Sequence, residues 1–146
     1  MKIAFYKGKG TLVDRMIRWW QRGLYSHVEA VLAETGDGTF ECASSVRGAG
    51  VRIAAVALAA NEWDVLDMPA DVDAVRAWFT KHAGLRYDYL GILGFVVRPV
   101  GGEPRHYFCS EAIATALGLA EPFRLDPNAL ADLVRDIARV ERTTTA

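Results

Sequence analysis

Cys109 lies in the stretch RHYFCSEAIATALGL, residues 105 to 119, where an extended aromatic segment gives way to a helical pattern that Gly118 closes. A cysteine at the first turn of a helix sits beside backbone N–H groups that have no intrahelical partner and beside the positive end of the helix dipole. Both favour the thiolate. A thiolate can attack a carbonyl carbon, and the same N–H groups can receive the oxyanion that develops there. Positions 109, 112, 113 and 116 share one side of such a helix, so the thiol is expected to point inward with Ala112, Ile113 and Ala116. The competing reading is that Cys109 is a small buried hydrophobe, a common fate of cysteine.

A nucleophilic thiolate needs an imidazole to take and return its proton, and a polar group to hold that imidazole in orientation. The chain has three histidines. His82 falls near the C-terminus of an amphipathic helix, where histidine usually caps or faces solvent. His106 is only three residues before Cys109 and is placed to line a site rather than to act as its base. His27 opens a strand directly after Tyr25 and Ser26, at an element end where functional side chains tend to emerge. For the orienting group, Glu41 lies between Phe40 and Cys42 in the following strand, and alternation puts Glu41 and Cys42 on opposite faces. Glu29 shares the face of His27, and Ser45 is a further candidate. If TGDG, residues 35 to 38, closes the hairpin symmetrically, His27 faces Ser45 or Val46, and Glu41 reaches it only through a bulge or an asymmetric turn. On spacing alone the choice stays open.

The elements that must position these residues follow from periodicity. Lys2 to Tyr6 forms a short strand closed by KGKG. Thr11 then caps a helix running to about Gly23, with Leu12, Val13, Met16, Ile17 and Trp20 on its apolar stripe and Trp19 off it. SHVEAVLA and TFECAS pair as an antiparallel hairpin, GVRIAAVAL adds a third strand and WDVLDMP a further one. Asp71 caps a helix to about Ala83 that buries Val72, Val75 and Phe79 and ends at Gly84. GLRYDYLGILGFVV turns into a glycine-interrupted helix, the loop RPVGGEPR follows, and helices from about Ser110 to Leu117 and Asn128 to Val140 complete the chain. The order predicts an α+β fold, an antiparallel sheet with flanking helices.

Composition narrows the function. A chain of 146 residues, 51% hydrophobic, fits one domain spanning 1–146. Its net charge of −1 is not concentrated in long blocks, which argues against nucleic acid as a partner. No transmembrane segment is expected, and MKIAFYKGKGTLVDR lacks the apolar run of a signal peptide, so a soluble cytoplasmic protein with two free thiols is anticipated. Paired ligand spacings for zinc are missing, GKG at 8 to 10 is no phosphate loop, and no metal or cofactor is expected. Trp19, Trp20 and Tyr25 are candidates for the edge of a substrate groove. Tyr87 and Asp88 are candidates to support the site, Asp88 also being a natural helix cap.

YSHVEAVL, FECAS and YFCSEAI, in this order, resemble the permuted branch of the NlpC-type papain-like cysteine hydrolases, the YiiX-like proteins related to lecithin:retinol acyltransferases. The resemblance spans residues 25 to 131 and falls on Ser26 and His27, Glu41, Tyr87 and Asp88, Tyr107 to Glu111, and Pro127 with Leu130. It implies a papain-like fold, an antiparallel sheet or partial barrel, with Cys109 as nucleophile, His27 as general base and acid, and Glu41 orienting His27. Tyr25, Tyr87, Asp88, His106 and Ser110 would support the site or touch substrate. The implied activity is hydrolysis or transfer of an acyl group through a thioester, on a peptide, another amide or an acyl lipid, with peptidase or amidase activity favoured. The alternative is a non-catalytic module of a phage or envelope assembly that keeps the fold.

Overall fold

The computed structural model describes residues 1–10, 12, 15, 18–19, 22–36, 38–87 and 106–144, and for Tyr87 and His106 the backbone alone. Strands β1 (Lys2–Tyr6), β2 (His27–Gly36), β3 (Thr39–Val46), β4 (Gly50–Ala57) and β5 (Trp63–Asp67) form a sheet in the order β4-β3-β2-β1-β5. Every neighbouring pair in it is antiparallel. Helix α1 (Val72–Lys81) follows, then a two-stranded parallel pair, β6 (Arg86–Tyr87) with β7 (His106–Tyr107). Helix α2 (Cys109–Ala116), a 3-10 turn (Pro122–Arg124) and helix α3 (Pro127–Thr144) complete the described chain. The α+β class expected from the sequence is what these elements form. Among the described residues no helix is long and apolar enough to cross a membrane.

Alternation sorts the sheet into two faces. Ile3, Phe5, Val28, Ala30 and Ala43 pack against Val75 and Phe79 of α1, Ala112 and Ile113 of α2, and Leu130, Ala131 and Val134 of α3. Burying each of the larger of these side chains contributes about 1.5–3 kcal/mol, which is what holds three helices on one face. The opposite face carries Ala4, Val31 and Cys42, flanked by Phe40, Val56, Leu58 and Trp63.

Asp71 caps α1 as expected, its carboxylate accepting from the N–H groups of Asp73 and Ala74. His82 is the C-cap of this helix, its ring stacked on Trp78 with centroids 4.1 Å apart. Two expectations need correction. Leu12, placed on an apolar stripe by spacing, is 78% exposed, because the face of a helix that meets the core is set by what it docks on and not by its own periodicity. Arg86 and Tyr87 are a strand rather than a turn, since β7 offers their backbone a ladder partner. The helix predicted after Tyr87, and Asp88 with it, lies outside the described residues, as does Trp20.

The start of β4 is joined to the residues just before β6 by close backbone contact. Val51 N–H donates to the Leu85 carbonyl, and Gly84 N–H donates to the Val51 carbonyl, each at 2.9 Å. Gly50, at φ +69°, leaves no room for a side chain there, since a Cβ would lie 2.0 Å from the Leu85 oxygen. Gly50→Ala is therefore expected to lower the thermal midpoint by about 4–8 °C, combining left-handed strain with a forced backbone shift. Gly48→Ala, also at positive φ but with nothing within 4 Å, should cost about half as much in parallel thermal melts.

Candidate active site

The carboxylate that meets His27 is Glu29. Two residues apart on one strand, their side chains emerge on the same face, and His27 Nε2 lies 2.8 Å from Glu29 Oε1. Directly across β1, Glu29 is paired with Ala4, a side chain small enough to leave space for the polar pair. Glu29 is only 1% exposed, and a carboxylate so deeply placed needs a cation and hydrogen bonds. Arg52 supplies both from β4: Nη1 donates to Oε2 at 3.1 Å and Nη2 to Oε1 at 2.6 Å, a two-pronged grip that fixes the plane of the carboxylate. Because an ionised carboxylate only accepts, Nε2 must carry the proton it shares with Glu29, which leaves Nδ1 to exchange a proton elsewhere.

The other group that acts on the imidazole is Cys109. The thiol stands within hydrogen-bonding range of the imidazole. Burial alone would lower the pKa of His27, but the Cys109 sulfur and then Glu29 outweigh it and push the pKa up to about 10.

Cys109 packs with the helix-covered core while His27 and Glu29 occupy the other face, so the contact depends on how the sheet ends. The β2–β3 ladder begins only at Ala30 paired with Ala43, and toward its start β2 pairs with β1 alone. Ser44 Oγ takes over there, donating to the Val28 carbonyl at 2.7 Å. Alongside, Ser45 Oγ donates to the Tyr107 carbonyl at 2.6 Å and draws the segment ahead of Cys109 against β3. The first turn of α2 therefore starts at the open end between β2 and β3. Its N-cap, Phe108, supplies no side-chain acceptor, so the N–H groups of Cys109 and Ser110 are not capped from that residue.

Glu41 is the main correction to the sequence reading. The hairpin register is Ala30 with Ala43 and Val31 with Cys42, and after a bulge Ala33 with Glu41. Glu41 is thus level with a residue six positions along from His27, about 20 Å at strand spacing, and its carboxylate pairs with Arg76 of α1. Ser45 holds the Tyr107 carbonyl and is not the orienting group either.

Tyr25 has a supporting place. Its hydroxyl donates to Asp64 Oδ2 at 2.6 Å and accepts from Arg135 Nη2 at 2.5 Å. Its backbone N–H and carbonyl are both held by the Asn128 side chain. Gly23 packs so closely on that amide that a Cβ would fall 2.2 Å from it. These contacts anchor the entry to β2, two residues before His27. Ser110 is fully buried in the first turn of α2. The side chains of Tyr87 and His106 lie outside the described residues. Sequence reasoning missed Arg52, whose signal would have been the need of a buried Glu29 for a cation on a neighbouring strand.

Cys42 is a contrasting thiol. Burial first, then Glu29, push its pKa up to about 12, against the opposing influence of Arg52. At neutral pH the faster of two alkylation phases with iodoacetamide is therefore expected to vanish in Cys109→Ser and to persist in Cys42→Ser, the residual thiol of Cys109→Ser reacting at least about a hundredfold more slowly until the protein is unfolded. Among the described residues no group of three His, Cys, Asp or Glu side chains is arranged to hold a metal ion. No protein-family model matches the chain, and no curated protein is significantly similar to it.

Proposed function

We propose that the chain is a papain-like cysteine hydrolase or acyltransferase of the permuted NlpC type, with Cys109 as nucleophile, His27 as general base and acid, and Glu29 as the group that orients His27. The observation that carries this reading is the Cys109 thiol beside an imidazole whose Nε2 is engaged by a buried, arginine-gripped carboxylate. A thiol that served only as packing would not need that arrangement.

In the proposed reaction Cys109 Sγ adds to an amide or ester carbonyl, its proton having passed to His27. The carbonyl oxygen takes the electron pair and is stabilised by N–H groups of the first turn of α2. As the tetrahedral species collapses, the C–N or C–O bond breaks, the leaving group takes the imidazolium proton, and a thioester remains on Cys109. Water or a second nucleophile, deprotonated by His27, then attacks the thioester and regenerates the thiol. Glu29 keeps the ring in register and stabilises its charge throughout. Peptide and amide substrates are favoured over acyl lipids.

Intact-mass analysis after exposure to a p-nitrophenyl ester tests the reading. A thioester adduct is expected on the parent protein and none on Cys109→Ala, with His27→Ala slowed about a hundredfold or more. Glu29→Gln should retain a measurable remnant, since the amide oxygen can still accept from Nε2, whereas Glu41→Gln should acylate within about twofold of the parent rate. Thermal melts separate lost chemistry from lost fold, because breaking the buried Glu29–Arg52 pair costs about 3–5 kcal/mol. Acylation of a folded His27→Ala protein at the parent rate would falsify the proposal.

The pH dependence gives a second check. The His27 imidazolium is the acid that protonates the leaving group, so kcat/KM should fall on the alkaline side near pH 10, where that proton is lost. Because Glu29 is among the groups that raise the His27 pKa, the alkaline limb should move to lower pH in Glu29→Gln. An unmoved limb would assign it to another group.

A further inference from the structure

The segment between β1 and β2 has a surface that the proposed chemistry does not use. Of the five large apolar side chains most exposed among the described residues, three lie here: Leu12 at 78%, Trp19 at 74% and Leu24 at 55%. Leu12, Arg15, Arg18 and Trp19 are helical. Leu12, Arg15 and Trp19 stand three and four residues apart, so they share one stripe of the helix, and it faces solvent. Arg22 and Leu24, both exposed, continue the surface past the turn that closes the helix through Gly23 N–H to the Arg18 carbonyl. Arg18 itself is spent internally, its guanidinium donating to the carbonyls of Lys7, Gly8 and Lys9, which holds the loop bearing exposed Lys9 beside the helix.

Charge marks the same surface. Residues 7 to 24 carry five basic side chains against one acidic, in a chain whose net charge is −1; Lys7 pairs with Asp64 and Arg18 is spent internally, which leaves Lys9, Arg15 and Arg22 as the exposed cations. We propose that this surface docks the protein on an anionic lipid bilayer, with Leu12, Trp19 and Leu24 entering the interface and Lys9, Arg15 and Arg22 facing the headgroups. Tryptophan suits that depth, having an apolar body and a polar N–H. Basic residues flanking exposed apolar ones on a helix too short to span are the pattern of a helix that lies on a membrane. An apolar protein partner would be served by the same Leu and Trp but would gain little from a clustered positive rim. The turn after the helix is pinned to Asn128 and Tyr25, so docking would place the bilayer beside the strand that begins with His27. The proposal does not depend on the reaction assigned to Cys109.

Co-sedimentation of the full chain with vesicles tests it, using phosphatidylcholine alone and phosphatidylcholine mixed equally with phosphatidylglycerol. Binding is expected to the anionic vesicles only and should weaken as salt is raised. The double variant Arg15→Glu with Arg22→Glu should lose roughly 25-fold or more in partitioning, and Leu12→Ala with Trp19→Ala at least about tenfold. All four side chains being exposed, these variants should keep the parent melting temperature and Cys109 alkylation rate, and Cys109→Ala should bind vesicles as the parent does. Failure to bind anionic vesicles at low salt, or binding that neither double variant alters, overturns the proposal. Self-association that Leu12→Ala with Trp19→Ala abolishes, in a protein that ignores vesicles, would reassign the surface to a protein contact.

Discussion

A carboxylate that is almost wholly removed from water must be paired, and in this protein that requirement organises the site. Glu29 is held by Arg52 on both oxygens and shares one of them with His27. Removing either partner would leave a buried charge uncompensated at a cost of several kcal/mol. The arrangement ties β2 to β4 across β3, because the guanidinium must reach over the intervening strand. Ser44, level with Arg52 on β3, keeps that path narrow, and its hydroxyl goes to the Val28 carbonyl. The imidazole therefore sits against a rigid carboxylate and not a mobile surface group, a condition for any residue meant to pass a proton in a fixed direction.

The second constraint is the way the sheet opens. If the β2–β3 ladder ran to the first residue of β2, the two faces would be sealed from each other there. Instead β2 pairs only with β1 toward its start, and the chain before α2 is drawn in by Ser45. A thiol packed with the helices and an imidazole from the other face meet at this opening. The remaining anchors serve the same end of the molecule. Asn128 at the start of α3 brackets the backbone of Tyr25, and the Tyr25 hydroxyl bridges Asp64 and Arg135. Burial and the hydrogen bond to Asp64 raise the pKa of this phenol, while the hydrogen bonds from Lys7 and Tyr25 hold Asp64 below the usual carboxylate range, and both shifts favour the bridge.

The two thiols show how much environment decides. Both are buried, yet Cys42 lies mid-strand, where burial and then the Glu29 carboxylate disfavour its ionisation, whereas Cys109 lies at a helix start beside the His27 ring. Residue type is the same, but the surrounding elements and side chains differ.

By itself the sequence determined most of the described elements and singled out Cys109 and His27 as candidates. Period-two runs gave strands within a few residues of their ends, Asp71 and Gly84 bounded α1, and the aromatic-to-helical break at Cys109 marked a thiol on a helix terminus, all of them local signals set by backbone sterics and capping. His27 stood out as the candidate partner of Cys109 because few other imidazoles were well placed. What only the tertiary structure decided was which carboxylate lies beside His27 and what supports it. Glu41 and Glu29 are equivalent as local sequence, each a glutamate in an apolar strand, and the choice rests on a hairpin register that shifts at a bulge between Val31 and Ala33. Arg52 was invisible for the same reason, since its role depends on two long-range strand pairings brought into line. Leu12 likewise gave no local sign that its helix would turn it to solvent. Local chemistry fixes what an element is, whereas register and docking are settled by contacts between residues far apart in the chain.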